Sequence, residues 1–524
     1  MMGNIFAKFK NDIPTAMKYY DQAIIANPNE SIAINNIGGN LLQQGKTEEA
    51  KKYFNKALSI NNNYPNTHFA LGMIAEIEND FHSAFYSTIK AIKLNINSDI
   101  LYKNSVDQAI QLAKKMITSD LGVKTYTNFK HKLEFEGNTK IDIVEDTTIT
   151  TAAKIEFAEI HKTINHVIKF KSSYPAVEHL IMHELIHLDF VIEARKADVN
   201  MLFISNQSNK RQFVSKLDVT IKNLKKNGLT EEIIEKQYNS LFEGINQQIF
   251  NTPIDLFIED IIYKDYEDIR AYQFISLFTI LQEGIQAVTD KRIIELFQAD
   301  IISKSKIYNM VNALQFKDLY GIDLTNEFKA TQAELKTAKE FYNEYLQYKY
   351  DKEPAEEYEL VQHWAEDLKL DTNFELIDEN TYRNKRTDVN SILESIEKEP
   401  FDIETKDPFK KREMEKFQKA QAELGTNMAV VMYMVDALQY FNKLTTKEIK
   451  EIAFEIAMQG TQGYSPDKSN YTLHSIPGKI FTGYHILAYY YVSWSLAIPD
   501  MVTDLNLPYE KEYELALTMH KPIK

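Results

Sequence analysis

The chain has 524 residues, 44% hydrophobic and 12% aromatic, enough apolar material for roughly two to four domains of about 150 residues. Its 75 acidic and 60 basic residues give a formal charge of −15, and the basic residues are interleaved with acidic ones, as in "DPFKKREMEKFQKAQAE", which argues against the clustered positive charge of a nucleic-acid-binding surface. The absence of cysteine excludes disulfides, thiolate nucleophiles and cysteine-based zinc ribbons, so any metal must rest on His, Asp and Glu.

No run of about 18 apolar residues occurs, so no membrane span is expected. The stretch "MMGNIFAKFKNDIPTAMKYY" lacks the apolar core and small-residue cleavage site of a signal peptide. With the missing disulfides, this predicts a cytoplasmic protein.

The first element is a repeat. Ala16, Ala50 and Ala84 stand 34 residues apart, and so do Ala23, Ala57 and Ala91. Tyr20 is in phase with Phe54, and Gly38 with Gly72. Small residues let paired helices approach closely, and the aromatics fill the next groove. This period and pattern resemble the tetratricopeptide repeat. The resemblance implies an α-solenoid over residues 1–117, with a concave face that takes a protein partner.

Beyond residue 118, "KLEFEGN", "TKIDIVED", "AKIEFAEI" and "NHVIKFKSS" alternate apolar and polar residues, separated by Gly, Asn and Asp. They predict a small mixed sheet. A helix is expected to follow from near Tyr174-Pro175.

That helix carries His183-Glu184-Leu185-Ile186-His187. Two histidines four residues apart share one face of a helix, so both rings can reach one metal ion. Glu184 points about 100° round the helix, toward a water on that metal. A strand, a short turn and an HExxH helix together resemble the active-site core of the zincin metallopeptidases. The resemblance implies Zn²⁺ on His183 and His187, Glu184 as general base, a peptide or protein substrate, and a sheet-edge strand aligning that substrate, for which "NHVIKFKSS" is the expected segment.

The third ligand is less direct. The longer HExxHxxGxxH pattern fails, with Phe190 at the glycine position and Glu193 at the last histidine position. Without the glycine the helix continues, and Glu193 falls about 280° round from His183. Asp189 and Asp198 are weaker still. Downstream, "NTPIDLFIEDIIYKDYEDI" reads as a helix with Thr252 as N-cap, Pro253 in the first turn and Asp255 in a capping-box-like role. Glu259 then lies among Phe257, Ile258, Ile261 and Ile262, where an unpaired carboxylate is costly. Two histidines and a glutamate on a second helix resemble the gluzincins, the thermolysin-like branch, and imply Glu259 as third ligand. The 72-residue gap from His187 is long for that branch, so the segment between reads as an inserted helical hairpin. Asp260, Asp265 and Glu267 are alternatives, and a helix carboxylate paired with Arg270 is the plain structural reading.

Residues 118–290 are thus expected to form the catalytic domain, and residues 291–524 a helical region completing the cleft. The resemblance implies a His or Tyr from that region as oxyanion donor. The candidate is His485 in "FTGYHILAYYYVSW", with Tyr484, Tyr489, Tyr490 and His474 behind it. The alternative for His485 is a packed core histidine, and His161, His166 and His179 read as surface or packing residues.

The expected fold is mainly α, with a small α+β zincin core between the solenoid and the helical C-terminal region. No phosphate loop, dinucleotide fingerprint or GxSxG elbow is present. The expected function is a zinc metallopeptidase that recruits a protein through its repeats, without nucleic-acid or membrane partners. The competing expectation is a non-catalytic scaffold with a degenerate zincin-like domain.

Overall fold

The computed structural model describes residues 2–161, 163–226, 228, 230–387, 428–460, 470–499, 502, 507 and 509–520. The chain divides into two compact units, Met1–Glu379 and Asn380–Lys524. Residues 291–379 therefore belong to the first unit.

The first unit begins as a stack of helix pairs: Met2–Lys8 with Ile13–Ala26, Ser31–Gln43 with Thr47–Ile60, and Pro65–Ile77 with Phe81–Leu94, closed by Ile100–Met116. Ala16, Ala50 and Ala84 are all fully buried. The in-phase glycines are explained by close approach. A Cβ on Gly38 would stand 2.9 Å from the Phe54 ring, and one on Gly72 would stand 2.7 Å from Thr88 Oγ1. Gly3, one residue out of the 34-residue phase, meets Tyr20 at similarly close range in the first pair. Asp12 and Asp80 cap the second helices of their pairs by accepting from Thr15 N (3.1 Å) and Ser83 N (3.0 Å).

The last repeat and the closing helix pack on the rest of the unit. Phe85 meets Phe274 edge-on at 5.5 Å, and Tyr102 donates to the Gly321 carbonyl at 3.3 Å. Gly321 has φ 79°, and a Cβ there would meet the Lys93 backbone at 3.0 Å, so this contact requires glycine twice over.

A three-stranded sheet follows, ordered β1-β3-β2, with β1 (Ile141–Glu145) parallel to β3 (His166–Phe170) and β2 (Ala153–Glu156) antiparallel to it. This corrects the expected edge strand. "HVIKF" is central, with Ile168 fully buried, and β2 is the edge. "KLEFEGN" is not a strand but the end of helix Leu121–Glu136 and its cap. Leu133 and Phe135 would share one face of a strand; on the helix they part, Leu133 to 1% exposure and Phe135 to 89%.

The motif helix, Val177–Lys196, starts one residue after Ala176, which takes a left-handed conformation at φ 57°. It runs on past His187, as the missing glycine predicted. The helix expected at Thr252 is instead the C-terminal half of a 35-residue helix, Glu231–Asp265. Thr230 caps it, Thr252 is buried, and Pro253 sits in its interior. A proline there removes one N–H from the ladder, so the helix is carried across it by packing rather than by propensity. The expected insertion is a pair of short helices, Gln207–Ser215 and Asp218–Lys226, leading directly into this long helix. Helices Arg270–Thr289, Ala299–Tyr320, Gln332–Tyr348 and Glu357–Asp367 complete the unit, with β4 (Met201–Ile204) pairing antiparallel with β5 (Glu375–Asp378).

The second unit contains helices Met428–Phe441, Thr446–Gly460, Gly483–Ala497 and Glu510–His520 and a hairpin of β6 (Tyr471–Leu473) and β7 (Ile476–Phe481). The Tyr-rich helix is its buried centre, with Tyr489, Val492 and Trp494 fully enclosed. Among the described residues, no helix is long and apolar enough to cross a membrane.

Candidate metal centre

Three histidines occupy successive turns of one face of the motif helix. His179, His183 and His187 have ring centroids 6.1 Å and 4.9 Å apart in sequence order. Buried Leu180, Ile181, Leu185, Ile186 and Leu188 fix the helix on either side of that face. The long helix packs opposite, and Asp255 and Glu259, one turn apart, both point at the histidines.

Asp255 Oδ1 lies 3.2 Å from His183 Nε2 and 3.3 Å from His187 Nε2. It is buried and hydrogen-bonds to neither. Ligands about 2.0–2.1 Å from a tetrahedral zinc are separated by about 3.3 Å, so both Asp255 separations match an edge of a zinc tetrahedron, and the three residues offer ligand atoms within 4.8 Å of one another. Burial would raise the Asp255 carboxyl, but the two imidazoles hold it below its ordinary value. For His183, burial works to lower the pKa, and the carboxylates of Asp255 and Glu259 override it and push it well above.

Glu259 takes a different place. Its Oε1 lies 2.7 Å from His183 Nδ1, and its Oε2 lies 2.9 Å from His179 Nε2. Only 3% of it is exposed; burial opposes its charge, but the His179 and His183 rings hold the carboxyl far below the usual range. The expected His183, His187 and Glu259 are therefore brought together, with Glu259 on the far nitrogen of His183. The carboxylate facing both Nε2 atoms is Asp255, which the sequence pattern cast as a cap. Its signal was the spacing: Asp255 and Glu259 are four apart and share a helix face. His179, read as packing, is the third imidazole of the cluster.

The other candidates lie elsewhere. Asp260 turns to Tyr345 and Lys349. Arg270 bonds the Tyr263 carbonyl and lies 3.6 Å from Glu267, so it does not pair with Glu259. Glu193 is exposed beside Lys196, in an acidic group with Glu136 and Asp189. His166 is buried and accepts the Ala158 N–H at 3.0 Å.

Glu184 faces a cleft of about 150 Å³ beside Thr151, Ala152 and Ala153. Burial raises its pKa, against the pull of both motif histidines and a hydrogen bond from the Ile155 backbone. That bond follows from the sheet. Lys171 N–H donates to the Ala152 carbonyl, so in this antiparallel register Ala153 and Ile155 turn their backbone groups to the open edge. Apolar Leu180, Leu277, Ile280, Leu281 and Phe316 also line the cleft, with Asn251, Asn312 and Gln315 among its polar groups.

His485 belongs to the second unit. Its Nε2 lies 3.0 Å from Asp436 Oδ2, and its ring stacks on Tyr433 at 4.4 Å. Asp436 also accepts from Lys479 and from the Tyr489 hydroxyl. Burial lowers the His485 pKa.

Among known families, the Tetratricopeptide repeat model matches residues 33–64, the second helix pair of the solenoid. This repeat points to protein–protein interaction. Comparison with curated proteins and with solved structures gives no match.

Proposed function

We propose that the chain is a zinc-dependent metallopeptidase whose repeats recruit a protein substrate or partner. The observation that carries this reading is the buried Asp255 oxygen, set at ligand spacing from two imidazole nitrogens and bonded to neither. His183, His187 and Asp255 would hold the ion, and Glu259 would orient His183 from behind, the arrangement in which metal-bound histidines usually sit. A zinc ion on three protein ligands keeps a position for water, lowers that water's pKa to about 7 and polarises a carbonyl.

The chain's own residues supply the rest. Glu184 takes a proton from the attacking water and passes it to the leaving amine. The outward N–H and C=O of Ala153 accept an extended peptide as an added strand, which lays the scissile bond along the cleft. The apolar wall excludes water around it.

The scaffold reading draws on a separate observation, the repeat match at residues 33–64. The two part on metal content and cleavage. The peptidase reading expects about one zinc per chain purified without chelators and hydrolysis of a fluorescent casein substrate. Zinc-free, inert protein leaves the scaffold.

A further inference from the structure

Glu259 is also held by Gln273, whose hydrogen bonds go to Glu259 and Tyr320 and not to His183, His187 or Asp255. Gln273, fully buried on helix Arg270–Thr289, donates from Nε2 to Glu259 Oε2 at 2.6 Å and to the Glu259 carbonyl at 2.8 Å. Its Oε1 accepts the Tyr320 hydroxyl at 2.6 Å, and that hydroxyl also lies 3.0 Å from the Arg270 carbonyl.

On the basis of the proposed metal site, we infer that Gln273 is a positioning residue for it, one that fixes the orientation of Glu259 and so decides which nitrogen of His183 is free of hydrogen. The amide has one tenable orientation. Reversed, it would set Oε1 against a carboxylate oxygen and a backbone carbonyl, three acceptors without a donor in a dry site.

With Nε2 facing Glu259, every neighbour donates to that carboxylate. Gln273 and His179 share Oε2, and Oε1 remains for His183 Nδ1 at 2.7 Å. In the proposed metal-bound state His183 therefore donates from Nδ1 and presents a bare Nε2 on the side of Asp255. A glutamate carboxylate turns easily about its last torsion, which has broad wells. The two Gln273 bonds, one to the side chain and one to the backbone of the same residue, remove that freedom.

The experiment is a zinc titration of the full chain against a competing chelator. Gln273→Met keeps the length and removes both donors; it weakens zinc binding by about 10- to 100-fold. Tyr320→Phe removes the anchor of Oε1 and the contact to the Arg270 carbonyl but keeps both Gln273 donors, and gives a smaller loss. Trp364→Phe, a fully buried change on Glu357–Asp367 away from this network, lowers the melting temperature and leaves zinc affinity at the wild-type value. Should Gln273→Met fail to fold, Tyr320→Phe carries the test alone: a weakened affinity supports the inference and an unchanged one overturns it. Wild-type affinity in folded Gln273→Met, or an equal loss in Trp364→Phe, also overturns it. Absence of zinc from the wild-type chain overturns the metal site together with it, before any variant is compared.

Discussion

Asp255 Oδ1 lies 3.3 Å from His187 Nε2 with no hydrogen bond between them. Under the proposed function, this is the gap that a metal ion would span between two of its ligands. The assignment of ligands follows from it and separates two neighbouring carboxylates. Asp255→Ala removes a ligand, and zinc is lost in dialysis. Glu259→Gln keeps the three facing atoms and loosens His183, lowering affinity by about 10- to 100-fold. Metal content by atomic spectroscopy and chelator competition measure both. Retention of zinc by Asp255→Ala with its loss from Glu259→Ala would restore Glu259 as ligand.

Under the proposed function, Glu184 moves the proton of the attacking water without belonging to the ligand set. Glu184→Gln should keep one zinc per chain and reduce the cleavage rate by roughly 10²- to 10⁴-fold. A variant as active as wild type would remove Glu184 from the chemistry.

In the solenoid, Phe54 is 1% exposed and fills the space left by Gly38. Phe54→Ala opens a cavity and costs about 3–5 kcal/mol. Urea unfolding followed by far-UV dichroism reads this directly, and a change under about 1 kcal/mol would mean that the repeats do not depend on this packing.

Glu134 ties helix Leu121–Glu136 to β1 by accepting from the Ile141 N–H at 3.0 Å and from Lys130 at 2.8 Å. Burial would raise its carboxyl, but Lys130, the Ile141 N–H, Lys140 and His131 bring it down to about 2, from an ordinary 4.5. A carboxyl depressed in the folded state stabilises fully above its unfolded pKa and loses that contribution as pH falls toward the folded one. Wild-type melting temperature should therefore drop between about pH 4.5 and pH 2 more steeply than that of Glu134→Gln, the two curves converging at the acid end. Parallel curves would show that the charge is not coupled to folding.

Much of this was legible from local pattern. The 34-residue phase located the solenoid because each repeat makes the same contact, Gly38 on Phe54 and Gly72 on Thr88. The motif helix followed from helical geometry alone. What the sequence concealed depended on tertiary placement. Pro253 reads as a helix start, yet burial of Ile249, Ile254 and Ile258 carries the long helix through it. That misplaced start cast Asp255 as a cap and kept it out of the carboxylates weighed as third ligand, among which Glu259 stood first. Strand order was equally out of reach, since "HVIKF" and "AKIE" carry the same alternation whether a strand is paired on one side or on two. Gln273 gave no signal because its role exists only against Glu259, fourteen positions away.

The seating of the last repeat on the core, with Phe85 on Phe274 and the Lys93 backbone on Gly321, has a further consequence under the proposed function. Grip and blade would share one rigid frame, so an unfolded client would be measured as well as recognised. At about 3.3–3.6 Å per extended residue, sliding the recognition segment along the client would carry the cut with it, residue for residue.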